Sequence, residues 1–266
     1  MSKMNLQLRG ARVLVTAASA GLGAATARQF SREGASLVIN SRNLESLQTT
    51  AGDIVAETGN PVFTHAADVS QRESAGKLVS NAATMLGGLD IVVTNAGGPP
   101  AGTFEDFADE DWRAAVDLTL LSAVNLVRAS LPHLKQSQRA AVLAIVSVAA
   151  KQPVTNLTLS NTIRPAVVGL MNTLSLELGN AGIRFNSILP GTTETGRIDN
   201  LMAARAEKNN TTPDAEREKT AQSIPLGRIG TVAEFANAAV FLCSPAGGFI
   251  TGVALPVDGG AILATM

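Results

Sequence analysis

Short, almost wholly apolar runs recur along this chain, each followed by a longer amphipathic stretch, and that alternation narrows the possible folds sharply. Arg12–Thr16, Ser36–Asn40, Pro61–Ala66, Leu89–Thr94, Ala141–Val146, Arg184–Leu189 and Val253–Val257 read as strands with little or no polar face. Strands that are apolar on both sides belong in a parallel sheet covered by helices on both faces. Helical patterns lie between them, among them Ala24–Glu33, Leu44–Thr58, Glu110–Leu134 and Ile163–Gly179. The expectation is one α/β domain over residues 1–266, a Rossmann-like doubly wound parallel sheet with right-handed crossovers. A chain of 266 residues that is 45% apolar has the material for such a core. The polar segment Asn200–Thr220 follows a late strand, so in an open sheet it lies over the carboxyl ends of the strands. Two readings of it are open: a substrate lid, or a solvated pair of surface helices.

A formal net charge of −1 with no basic block argues against nucleic acid or an anionic membrane as partner. The first ten residues hold no apolar signal core, and no run approaches membrane-spanning length, so a cytoplasmic protein is expected. The one cysteine, Cys243, ends the run Ala238–Leu242 and reads as a buried, inert thiol. No His/Cys/Asp cluster has metal-ligand spacing, so no metal is expected.

The turn after the first strand reads Thr16-Ala17-Ala18-Ser19-Ala20-Gly21-Leu22-Gly23. Glycines at the start of a helix let backbone approach a pyrophosphate, and the helix N-terminus supplies N–H groups and a positive dipole end. Gly-x-Gly after a strand is weak by itself. Further along stand Asp68-Val69, Thr94-Asn95-Ala96-Gly97, Pro190-Gly191 with Thr195, Pro225-Leu226-Gly227-Arg228, Phe249-Ile250-Thr251-Gly252 and Val257-Asp258-Gly259-Gly260. In this order, from about residue 8 to residue 261, they resemble the motifs of the short-chain dehydrogenase/reductase family, 3-oxoacyl-carrier-protein reductases in particular.

The resemblance implies a nicotinamide dinucleotide cofactor. Thr16, Ala18, Ser19, Gly21, Leu22 and Gly23 would cradle its phosphates, with Ala17 where the family has its first glycine. Alanine there is harmless at negative φ and strains the turn by about 1 kcal/mol at positive φ. Asp68 and Val69 would lie on the adenine side, and Asn95, Ala96 and Gly97 by the adenosine ribose. Pro190, Gly191, Thr192 and Thr195 would meet the carboxamide and diphosphate. At the end of the second strand, where NAD-binding forms usually carry Asp, this chain has Asn40-Ser41-Arg42. Ser41 and Arg42 have the hydroxyl and guanidinium that suit a 2′-phosphate, which favours NADP(H) and leaves NAD(H) open.

The family's proton chemistry uses a Ser, a Tyr, a Lys four residues after the Tyr, and an Asn that supports a water. The Ser matches Ser147. This chain contains no tyrosine at all, and the Tyr-x-x-x-Lys segment reads Ser160-Asn161-Thr162-Ile163-Arg164. Arg164 keeps a cation suited to the nicotinamide ribose but shuttles no proton, and Ser160 is a poor acid. The family's Asn is matched to Asp117. Lys151, four residues after Ser147, is a candidate replacement acid if it is partly desolvated, and an ordinary loop lysine otherwise. Two functions follow. One is an NADP(H)-dependent oxidoreductase that interconverts a carbonyl and a secondary alcohol of a small molecule with altered proton transfer. The other is a catalytically silent NADP(H)-binding sensor or scaffold. The resemblance also implies a homotetramer or homodimer built through Glu110–Leu134, Ile163–Gly179 and the last strand.

Overall fold

A computed structural model describes residues 5–263. The first strand, β1 (Arg12–Val15), leads into α1 (Gly21–Arg32), β2 (Ser36–Ser41), α2 (Leu44–Thr58), β3 (Val62–Ala66), α3 (Arg72–Leu86) and β4 (Ile91–Thr94). The second half runs through α4 (Asp109–Val116), α5 (Ser122–Leu134), β5 (Ala141–Ile145), α6 (Thr158–Leu178) and β6 (Arg184–Pro190). It closes with α7 (Gly196–Asn209), α8 (Pro213–Gln222), α9 (Val232–Cys243) and β7 (Ala254–Val257). The strands form one parallel sheet in the order β3-β2-β1-β4-β5-β6-β7. This is the doubly wound single domain expected from the alternating pattern.

Alternate residues of the central strands feed opposite cores. Val13, Val15, Leu37 and Ile39 pack with Phe30 of α1 and Phe235 of α9. Leu14, Val38 and Val92 pack with Leu78 of α3, Leu126 of α5 and Met171 of α6. Both faces are covered, which is why these strands show no polar alternation. The strand order reverses between β1 and β4, so the loops after these two strands diverge and leave a crevice at the carboxyl edge of the sheet.

Asp109–Leu134 runs helical without a break, α4 and α5 being joined by a π-helical turn at Asp117–Leu121. Its 26 residues are long and apolar enough to cross a membrane by length and composition. That corrects the expectation that no run approaches this length. Its inner residues Ala123, Leu126 and Val127 are buried in the core shared with α3, as in a core helix.

The segment read as lid or helix pair is helical, spanning α7 and α8. The two helices pack on each other through buried Met202 and Ala206 and are otherwise mostly exposed.

Arg184, at the start of β6, anchors the far edge. Its guanidinium donates to the carbonyls of Leu242, Cys243, Ser244, Gly247 and Ile250 at 2.6–3.2 Å. Burial lowers its pKa, and these carbonyls around the C-terminal end of α9 take up the charge. Cys243 beside it is 1% exposed, and burial pushes its thiol up to about 12, so it is inert as expected. Arg184→Met leaves those carbonyls without their donor. Unfolding in urea is expected to show a loss of about 3 kcal/mol, and a loss below 1 kcal/mol removes Arg184 as the anchor of this edge.

Candidate active site

β1 ends at Val15 and the chain turns through Thr16–Ala20 before α1 begins. The turn is fastened on three sides. The buried Thr16 hydroxyl donates to the Asn95 carbonyl at 2.7 Å and accepts from the Asn95 N–H at 2.8 Å. Ala18 N–H donates to Asn40 O at 2.8 Å, and the Thr50 hydroxyl donates to Ser19 O at 2.8 Å. Held this way, Ala17 takes φ = 47°, the left-handed region that costs a non-glycine residue about 1 kcal/mol. Gly23 has no alternative, because a Cβ there would stand 2.3 Å from Ala17 O and 2.9 Å from Asn95 Nδ2.

Ala20 provides no side-chain cap for α1, and the first turn carries no acidic residue. Its free N–H groups and positive dipole end therefore open on the crevice, which fits a cofactor diphosphate. Thr195 heads α7 across the crevice, again with no side-chain cap, and its Cγ2 would lie 3.6 Å from a Cβ on Gly21. Gly191 is held close to Asp258, where a Cβ would stand 2.7 Å from Asp258 Cα. Pro190 ends β6, and Thr192 O accepts from Gly230 N–H at 3.1 Å.

Two side chains read as ligand contacts are occupied within the protein. The Asn95 amide donates to Ala17 O at 3.2 Å, so it braces the glycine turn. The Ser41 hydroxyl is buried and donates to Asn43 O at 2.9 Å, which takes its proton away from any 2′-phosphate. Asn40 Nδ2 donates to His65 O and Ala67 O at 2.9 and 3.1 Å and ties the ends of β2 and β3 together. Arg42 stands exposed beside them. Asp68 accepts from Ser70 N–H and Oγ at 3.0 and 2.8 Å, while Val69 is buried under the sheet.

The other half of the crevice lies beyond β4 and β5. Ser147 follows β5, and its Oγ accepts from Ala149 N–H at 3.1 Å, which leaves the hydroxyl proton free to donate. Arg164 reaches from α6 and donates through Nη1 to Val146 O, directly before Ser147. Burial first, and repulsion from Arg197 second, pull its pKa down to about 10. A narrow cavity of about 20 Å³ is lined by Asn95, Ala96, Gly97, Thr119, Ser122 and Arg164, among others. It has room for about one water. The Thr119 hydroxyl oxygen is buried without a hydrogen-bond partner among the described residues.

Three candidates stand elsewhere. Asp117 is exposed, and the residue that reaches the cavity from this segment is Thr119, two positions on along the π-helical turn. Lys151 is exposed, so the desolvated lysine needed for a replacement acid is not present there. Ser160 is 4% exposed, a short hydroxyl sunk into α6 where the family has a long phenol. The sequence reading missed Thr119 and Arg197. A lone hydroxyl inside the apolar run Leu118–Leu121 and a cation in the first turn of α7 were the available signals.

The family model described as enoyl-(acyl carrier protein) reductase matches residues 16–261. The chain is 31% identical over 258 residues to 7alpha-hydroxysteroid dehydrogenase of Escherichia coli, covering 97% of this chain and 96% of that protein. The structure is similar to L-sorbose reductase from Gluconobacter frateurii complexed with NADPH and L-sorbose. The TM-score is 0.94 with 29% identity, over 98% of this chain and 100% of that one. It is also similar to a short chain oxidoreductase from Pseudomonas aeruginosa described as containing an atypical catalytic center. There the TM-score is 0.88 with 30% identity, over 96% and 98% of the two chains.

Ala17→Gly relieves the left-handed strain in the turn. It is expected to raise the unfolding free energy by about 1 kcal/mol in urea without weakening NADPH binding. A destabilised Ala17→Gly protein sinks the strain argument.

Proposed function

Because the chain belongs to the short-chain dehydrogenase/reductase family, we propose that it is an NADP(H)-dependent oxidoreductase that interconverts a carbonyl and a secondary alcohol with an altered proton-transfer site. The observation that carries this reading is that Asn95 braces the glycine turn through Ala17 O and lines, with Arg164, the cavity beside the end of β5 that Ser147 follows. Gly21, Leu22 and Gly23, the open end of α1 and Thr195 would hold the cofactor's diphosphate, and Arg42 a 2′-phosphate. The bound cofactor supplies or accepts the hydride.

The chain's own residues then act on the substrate oxygen. Ser147 Oγ accepts from Ala149 N–H, so its own proton is free to be donated to a carbonyl oxygen. Arg164 puts positive charge behind the same point, and a fixed donor and cation at a developing alkoxide form the preorganised arrangement that lowers such barriers. No phenol is present to deliver the proton. The proton comes from water, for which the cavity beside Thr119 Oγ1 has room for about one molecule. A side chain acting as general acid contributes about two to four powers of ten, so turnover through water is slow but real.

The buried Ser160 and exposed Lys151 favour a second reading, a silent NADP(H)-binding protein. Deuterium at the nicotinamide C4 of NADPH separates the two. The enzyme reading expects label in a component of a soluble metabolite extract, and Ser147→Ala is expected to lower kcat/KM for that component by about two orders of magnitude with NADPH binding unchanged. NADPH binding with no label transferred, from NADPH or NADH and in either direction, leaves the silent protein.

The family's assembly supports a homotetramer as the working form. On α6, Leu176 is 81% exposed, and Phe249, shortly before β7, is fully exposed. Light scattering is expected to give a tetramer mass, with Leu176→Glu reducing it. A wild-type monomer at micromolar concentration overturns this.

A further inference from the structure

Arg197 belongs to no motif, yet it reaches the heart of the crevice. A Cβ placed on Gly98 would lie 2.6 Å from Arg197 Nη1, 3.3 Å from Arg197 Nη2 and 3.2 Å from Arg164 Nη2. Two guanidinium groups therefore converge on one stretch of backbone just after β4. Among the described residues neither is paired with a carboxylate. The acid two positions along α7, Asp199, is bound at 2.6 Å by Arg217 instead. Among the described residues the Arg197 side chain makes no hydrogen bond, and the Arg164 side chain makes one, to Val146 O.

Converging like charges repel, and the repulsion is felt in the lowered pKa of Arg164, after burial. Arg197 also occupies the first turn of α7, the end of a helix that disfavours a cation. Each choice works against stability. An anion seated between the two guanidiniums removes both penalties at once, because planar forks of this kind bind carboxylates by paired, charge-assisted hydrogen bonds.

We propose that Arg164 and Arg197 form a receptor for the carboxylate of the substrate, so that the reacting compound is a small oxo acid or hydroxy acid. The inference rests on the oxidoreductase reading above and names its substrate class. The position favours substrate over cofactor phosphate. A Cβ on Gly21 in the glycine turn would meet Thr195, whereas the Arg197 tip lies against Gly98 on the side of Arg164 and Ser147. A carboxylate held there places a neighbouring carbonyl next to Ser147, which directly follows the carbonyl that Arg164 grips. Arg197 is exposed on α7, so its removal is expected to leave the fold intact.

Calorimetric titration tests this without turnover. Acetoacetate and pyruvate, each beside its neutral methyl ester, are titrated into the free protein and into protein saturated with NADPH. Wild type is expected to bind at least one acid about tenfold or more tightly than its ester. Arg197→Met is expected to weaken acid binding by about ten- to a hundredfold and leave ester binding alone, with Arg197→Lys intermediate. NADPH affinity is expected to stay within about twofold in both variants. The inference is overturned if acids and esters bind alike, if no acid binds below about 10 mM, or if Arg197→Met leaves acid binding unchanged. It is overturned equally if the variant loses NADPH affinity in step with the acids, which assigns Arg197 to the cofactor phosphates. Failure of the oxidoreductase reading looks different: carboxylates bind and depend on Arg197, but deuterium never leaves the cofactor.

Discussion

The reciprocal hydrogen bonds between Thr16 and Asn95 join the loops after β1 and β4 at the place where the strand order reverses. Much else at the carboxyl edge follows from that join. It draws Asn95 under the glycine turn, where its amide takes the carbonyl of Ala17. Ala17 must then turn left-handed, and Gly23 must go without a Cβ. The strain at Ala17 is worth about 1 kcal/mol. Leaving one of these part-buried donors or acceptors unpaired would cost about 1–3 kcal/mol. The hydrogen bonds therefore win, and an alanine survives in a conformation suited to glycine. The same join leaves the first N–H groups of α1 facing the crevice.

Legibility from sequence divided along physical lines. The strands could be read because burial on both faces leaves their apolar runs unbroken, and only their ends shifted, as where Thr16 belongs to the turn rather than to β1. Helix α2 needed no adjustment, with Asn43 capping its start and Gly59 in a left-handed conformation at its end. The candidate catalytic side chains were less readable. The match of the family's Asn to Asp117 falls two positions short, because within the π-helical turn between α4 and α5 it is Thr119 that lines the cavity while Asp117 is exposed. A loop has no period, and nothing near Lys151 in the sequence marks it as outward-facing. The Ser41 hydroxyl bonds within its own turn, a local choice that polarity alone does not reveal.

Two half-buried arginines show what is unusual about the crevice. Arg184 is surrounded by carbonyl oxygens around the end of α9, so its charge is met by fixed dipoles within the fold. Arg164 has one carbonyl partner and another guanidinium nearby. Burial lowers the pKa of both, but only the first environment is electrically complete. A charge removed from water without compensation costs several kcal/mol, and a fold that tolerates this beside an open crevice leaves the compensation to whatever binds there.

The missing tyrosine and the arginine four residues after its place then read as one change. A lysine at position 164 would serve a phenol by lowering its pKa, and it shifts its own pKa readily when buried. Next to Arg197 a buried lysine would be pushed further toward its neutral form. Arginine at position 164 stays protonated at neutral pH even with its pKa drawn down to about 10. Without a phenol there is no side-chain proton to tune, and a cation that holds its charge becomes the more useful group. On the proposed reading the crevice keeps Ser147 to polarise the substrate oxygen, leaves the proton to water, and uses the former proton-relay position to hold a negative charge. The rate forgone in proton transfer is then offset by orientation, because a substrate fixed at its carboxylate presents its carbonyl to Ser147 in a restricted set of poses.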